Sequence, residues 1–231
     1  MSHLNILSGG AAHGLVASLA PTFAGQTGFD IKGEFGAVGG MAQKLRQGVA
    51  ADLVILTSAL VTELVAEKLV LPASIKDVGL VETALAVRSG DPEIAAKNAD
   101  ELRAAFLAAD AVYVPDIKAS TAGSHVASVL AQLGIAPEIA MRLKIHPNGA
   151  TAMRELAASI AKRPIGCTQA TEIIATKGVE LSGSLPSGCE LITTYAAAVT
   201  TGTAHSRQAE ALVELLTGPA AAQARHSAGF L

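Results

Sequence analysis

One arrangement constrains this chain more than any other: a short apolar run, then a turn of very small residues, then a helical pattern with no linker. It appears first in Asn5–Ala20, NILSGGAAHGLVASLA, where the run Leu4, Ile6, Leu7 stops at Ser8-Gly9-Gly10 and a helix begins at once. A strand that delivers a helix N-terminus to a loop almost without side chains lets another group approach the backbone closely. The first-turn N–H groups have no helical carbonyl to donate to, so they suit an anion or a carboxylate. An ordinary tight strand-to-helix turn has the same composition, so recurrence must decide.

It recurs. After a strand over Phe29–Phe35, Gly36-Ala37-Val38-Gly39-Gly40 leads into a helix from Met41, and the buried-type strand over 48–56 ends at Thr57-Ser58 before a helix over Leu60–Glu67. Strand, turn and helix repeated in this way predict a doubly wound parallel α/β sheet, with ligands at the carboxyl ends of its strands. An extended segment over 79–90 precedes a helix over Ala99–Ala108 and a strand over Ala111–Val114. The same pattern then returns at Ser120-Thr121-Ala122-Gly123 before a helix reaching Leu133, and at Asn148-Gly149-Ala150-Thr151 before a helix over 151–161. A short strand over Ile165–Cys167 leads into Thr168-Gln169-Ala170-Thr171, which reads as the opening of a further helix. The extended segment Glu190–Thr200, a helix over Arg207–Leu216 and a terminal helix from Pro219 complete the chain.

Composition removes several functions. The 231 residues are half apolar, carry a net charge of −3 and are only 3% aromatic, so neither a basic footprint nor stacking platforms for nucleic acid or sugars exist. No run of about 18 apolar residues is present, so no membrane insertion is expected. The two cysteines, Cys167 and Cys189, fit neither a disulfide framework nor a metal-ligand spacing. HExxH, GxSxG, Walker and CxxC patterns are missing, so the expectation is no metal and no cofactor. Only Met1-Ser2-His3 precede the first strand, which places the protein in the cytoplasm if Met1 is the native start and in the periplasm if Met1 replaces a cleaved signal peptide.

Six stretches together carry a family resemblance: the turn at 7–13, ADLVILTS at 51–58, STAG at 120–123, PIGCTQATEI at 164–173, YAAAV at 195–199 and the ending LLTGPAAAQARHSAGF. They resemble the molybdate-binding-protein-like branch of the type 2 periplasmic solute-binding superfamily over essentially the whole chain. The resemblance implies two α/β lobes joined by two crossover strands, with an anion in the cleft between them. Lobe one would be residues 1–85 with 193–231, and lobe two residues 86–192.

Against that family's pattern the hydroxyl donors are depleted. Where molybdate binders carry serines and a Tyr, this chain has Ser8-Gly9-Gly10-Ala11, Gly36-Ala37-Val38-Gly39 and Gln169. A tetrahedral dianion would forfeit several charge-assisted bonds of roughly 1.5–3 kcal/mol each. The expected contacts are therefore backbone amides and a few polar groups: Ser8, Gly9, Gly10, Ala11, Gly36, Ala37, Val38, Gly39, Thr57, Ser58, Ser120, Thr121, Ala122, Gly123, Asn148, Ala150, Thr151 and Gln169. That set suits the carboxylates of a small organic di- or tricarboxylate, and the reading is a small-anion binding protein. An isomerase of an unsaturated tricarboxylate of the aconitate kind needs the same cradle plus one base, for which His13 is the candidate; in a first helical turn a neutral imidazole is expected. His13 reads equally well as a packing residue. A molybdate or tungstate component of an ABC transporter is the third reading, with a permease partner only if a leader was removed. Lys118 reads first as a solvated loop lysine, Glu172 as a first-turn acid at a positive helix end, and His125 and His146 as structural.

Overall fold

The structure is a computed structural model that describes residues 2–94 and 96–231. It divides into two compact units, Met1–Val81 with Thr193–Leu231, and Glu82–Ile192. The chain passes from one unit to the other twice.

In the first unit, β1 (Ser2–Gly9) lies between β2 (Phe29–Gly36) and β3 (Leu53–Thr57), and both pairings are parallel. The helices α1 (His13–Thr27), α2 (Val38–Arg46) and α3 (Ser58–Ala66) follow these strands. Every residue of β3 is buried, which its run of Leu, Val and Ile requires in a strand covered on both faces. The sheet is not wholly parallel as the sequence pattern predicts. β4 (Lys76–Arg88) begins in this unit and carries the chain out, β9 (Ile192–Val199) brings it back, and β9 pairs antiparallel with β3. Leu4, Ile6, Leu15, Phe23, Leu64 and Leu212 are at most 1% exposed and form the centre of the core, Leu212 being contributed by α9 (Ser206–Thr217). The buried Asp52 carboxylate accepts from the Asn5 N–H at 2.8 Å and the Thr203 hydroxyl at 2.7 Å, which joins β3's approach to the segment before α9.

The second unit repeats the design. β5 (Ala111–Pro115) is parallel to β6 (Leu143–His146) on one side and to β7 (Pro164–Gln169) on the other, and β4 joins antiparallel to β7. α4 (Ala99–Ala108), α5 (Thr121–Gln132), the short α6 (Ala136–Ile139), α7 (Gly149–Ala157) and α8 (Ala170–Ile174) cover the sheet. Alternation along β4 separates two cores: Leu85 packs with Leu102, Phe106, Val126 and Cys167, whereas Ala84 and Ala86 pack with Met153, Leu156 and Ile173.

Four local readings change. Thr168 and Gln169 finish β7, pairing with Ala84 and Thr83 across the sheet, so the helix expected over Thr168–Thr171 opens at Ala170 with Gln169 as its N-cap. α7 ends at Ala157 and not at 161. Two elements are also new relative to the sequence pattern, α6 and β8 (Val179–Ser184), the latter antiparallel to β4 through an irregular register between Leu85 and Ala86. The remaining short helix, α10 (Ala222–Ser227), follows a single turn at Pro219–Ala221.

Candidate functional site

The parallel pairing of β1 with β2 and β3 brings three of the expected turns to one edge of the first unit. Gly9 stands in register with Gly36 and Ser8 with Ile55, so the turns at Ser8–Ala11, Gly36–Gly39 and Thr57–Ser58 are neighbours. The small residues there are needed: a Cβ on Gly9 would lie 2.7 Å from Val38 Cγ1 and 3.0 Å from the Tyr195 ring, so only glycine lets α2 start this close. Neither Ala37 nor the residues leading into α1 supply a side-chain cap, and the His13 N–H that opens α1 donates to the Gly10 carbonyl.

The hydroxyls serve the backbone. The fully buried Ser8 donates to the Gly9 carbonyl at 2.9 Å, and Thr57 accepts from the Leu60 N–H as the cap of α3. Ser58 lies 3.4 Å from Asp77 Oδ1. His13 opens α1, is exposed, and meets the Phe35 ring edge-on with centroids 4.6 Å apart.

In the second unit the ends of β5, β6 and β7 likewise share an edge, which brings together Ser120–Gly123, Asn148–Thr151 and Gln169. Ser120 caps α5 by accepting from Gly123, and Asn148 caps α7 by accepting from Thr151 at 2.8 Å. Two of the side chains expected as ligand donors thus act as acceptors, since each helix start recruits the nearest polar side chain. Thr151 Oγ1 accepts from Arg154 at 2.9 Å, and Lys118 is exposed.

The Ala150 N–H, together with those of Gly149 and Gln169, donates to the Glu172 carboxylate, which also accepts from the Thr168 hydroxyl at 2.6 Å. The anion at the start of α7 is the chain's own. Glu172 sits in the first turn of α8, and its carboxylate serves two helix starts, taking the N–H of Gln169, the N-cap of its own helix, together with those of Gly149 and Ala150 at the start of α7. Gly149 makes this possible, because a Cβ there would stand 1.8 Å from Glu172 Oε2. Burial pushes the Glu172 carboxyl above its ordinary value, against the pull of its four donors.

Gln169 is the opposite case. It is only 3% exposed, yet among the described residues neither its Nε2 nor its Oε1 has a partner, and the same holds for the buried hydroxyls of Thr83 and Thr171. Sequence reasoning singled out Gln169 and missed Thr83, since nothing in ETALAV marks one threonine on a strand until the pairing is known. Among the described residues no cluster of His, Cys, Asp and Glu is arranged to hold a metal ion.

Residues 4–231 match the family model described as bacterial extracellular solute-binding protein. The chain belongs to that family. Within this solute-binding protein's fold class, the periplasmic molybdate-binding protein of Azotobacter vinelandii superimposes with a TM-score of 0.81 at 20% identity, covering 99% of this chain and 98% of that one. The sulfate-binding protein of Mycobacterium tuberculosis H37Rv gives 0.77 at 19% identity, covering 100% and 86%. By sequence, the solute-binding protein is 26% identical to an aconitate isomerase from a Pseudomonas species over 238 aligned positions, 98% of this chain and 87% of the relative. The type 2 periplasmic binding fold implied by the sequence resemblance is therefore the fold of this protein.

Proposed function

We propose that this solute-binding protein takes a small organic di- or tricarboxylate, its carboxylates held by backbone amides at helix starts. The observation that carries this reading is the chemistry of the turns: small residues and helix starts without side-chain caps at Gly9–Ala11 and Ala37–Gly39, and hydroxyls already committed to the backbone at Ser8 and Thr57. A carboxylate is planar and shares one negative charge between two oxygens, so two or three amides satisfy it. A tetrahedral dianion asks for more donors than these turns offer, and the carboxylate of Glu172 already consumes three amides of the second unit. The test is a thermal-shift series with citrate, tricarballylate, malate and succinate against molybdate, tungstate, sulfate and phosphate. Ligand at about 100 times its Kd adds roughly 2.7 kcal/mol, which a melting curve resolves. Stabilisation by molybdate with no response to the organic acids would overturn the proposal in favour of an oxyanion carrier, to which an ABC permease would be the partner.

The alignment with an aconitate isomerase along nearly the whole chain favours a second reading, proton transfer on an unsaturated tricarboxylate. His13, exposed at the start of α1 beside the turn at Ser8–Ala11, is the base in that reading, and the neighbouring amides stabilise the charge that develops on the substrate carboxylate. Aconitate in D₂O would exchange a proton for deuterium at the allylic carbon, and His13→Gln would slow this on the order of 10²-fold with binding changed only a few-fold. Binding without any exchange leaves the carrier reading.

A further inference from the structure

The second unit carries a pocket at the opposite end of its sheet from the turns described above. Those turns follow the carboxyl ends of β5, β6 and β7, whereas this pocket sits where β7 begins and β4 finishes, and every residue that lines it belongs to the second unit. Its volume is about 220 Å³. The floor is buried and apolar, with Val87 supplied by β4 and Pro164 and Ile165 by β7. One wall is the end of α4, where Ala105, Ala108 and Ala109 present nothing larger than a methyl group. Ile94 also lines the pocket, and its N–H is held by the Ser182 hydroxyl at 2.6 Å. Sites for small molecules have this character: concave, mostly apolar, with a few polar groups that fix orientation.

The polar side chains that line it are Asp91, Lys162 and Arg163, and their pairing decides which charge the pocket accepts. Asp91 is neutralised by Arg88, with Nε and Oδ2 2.8 Å apart. The carbonyls at the end of α4 would disfavour an anion if they were open. Those of Leu107 and Ala109 instead accept from Arg142 Nη1 at 2.8 and 2.7 Å. The nearby Asp110 carboxylate accepts from the Arg163 N–H at 3.1 Å. Lys162 and Arg163 are exposed, and among the described residues neither side chain has an ion-pair partner. Two open cations beside an apolar floor match a molecule with an apolar body and a single carboxylate. An apolar cavity of about 150 Å³ holds a benzene ring, so this one has room for a ring with a short chain. We infer that the pocket is a second binding site, for a small arylalkanoic acid whose ring lies on Val87 and Ile165 and whose carboxylate meets Lys162 and Arg163. This site is independent of the carboxylate reading of the amide turns.

Three probes with one body and different head groups test this: 3-phenylpropionate, 3-phenylpropanol and 3-phenylpropylamine. NMR titration of the ¹⁵N-labelled full chain should move the amides of Val87, Ala105–Ala109 and Lys162–Ile165 and leave those of the turns at 8–11, 36–39 and 148–151 in place, with or without citrate. The acid should bind about 5-fold more tightly than the alcohol, a factor in keeping with solvent-exposed charge pairs, and the amine more weakly than either. Half-molar salt should bring acid and alcohol within about 2-fold. Lys162→Gln with Arg163→Gln should do the same at low salt, without changing the affinity for the alcohol. Ala105→Leu with Ala108→Leu fills the wall with good helix formers and should weaken all three probes at least about 10-fold. Unchanged far-UV circular dichroism of both double variants shows that the fold is intact. If none of the probes binds, or binding survives the leucine substitutions, the site is refuted. Affinity that ignores head group and salt refutes the role of Lys162 and Arg163. Shifts confined to the turns at 8–11, 36–39 or 148–151 also refute the inference, because they place the acid in the site already described.

Discussion

Gly149→Ala is a one-carbon change with a large calculated consequence. The new methyl carbon would lie 1.8 Å from Glu172 Oε2, 2.5 Å from its Cδ and 2.2 Å from Thr168 Oγ1, all far inside van der Waals contact. The carboxylate must move, and it leaves a position where it accepts from Thr168 and from the amides of Gly149, Ala150 and Gln169. Hydrogen bonds to a charged group contribute about 1.5–3 kcal/mol each, so losing two costs roughly 3–6 kcal/mol. Alanine's advantage over glycine within a helix returns at most about 1 kcal/mol. The net expectation is a loss of about 2–5 kcal/mol, or about 4–20 °C in Tm for a chain of this size. Urea denaturation with far-UV circular dichroism measures it, and a double-mutant cycle with Glu172→Ala identifies the cause. Without the carboxylate the methyl has room, so the cost of Gly149→Ala should nearly vanish in that background and the coupling should reach about 2 kcal/mol or more. Additivity within about 0.5 kcal/mol would refute the reasoning, because it would place the strain in the backbone of the turn and not in the contact with Glu172.

Two further outcomes follow from buried groups. Burial raises the Glu172 carboxyl above the ordinary 4.5, so the fold favours its protonated form: that stabilisation is full below 4.5 and is lost as pH rises through the folded value. Relative to Glu172→Gln, the wild-type protein should therefore lose stability with rising pH above about 4.5, at a slope of at most about 1.4 kcal/mol per pH unit, and parallel urea midpoints from pH 4 to 8 would refute this. Burial also pushes the Cys167 thiol up to about 12, so in the native protein at pH 8 it should not react with DTNB over an hour and should react at once in denaturant; rapid native labelling of a Cys189→Ser variant would show that the second core opens easily.

The alternation of strand, small-residue turn and helix is legible in the residues alone, because hydrophobic period and chain-breaking glycines are local properties that need no knowledge of neighbours. Residues 8–11, 36–39, 57–58 and 120–123 were legible as turns at strand ends for this reason, and Gln169 stood out because it departs from a family pattern. What local properties do not contain is pairing. The antiparallel entry of β9 beside β3 and the partnership of Thr83 with Gln169 join residues 86 or more positions apart, and only the assembled sheets decide them. The same holds for Glu172, whose place in the sequence assigns it to its own helix. Tertiary packing adds the amides of α7 to the Gln169 N–H of its own helix start, through a gap that one absent Cβ at Gly149 leaves open.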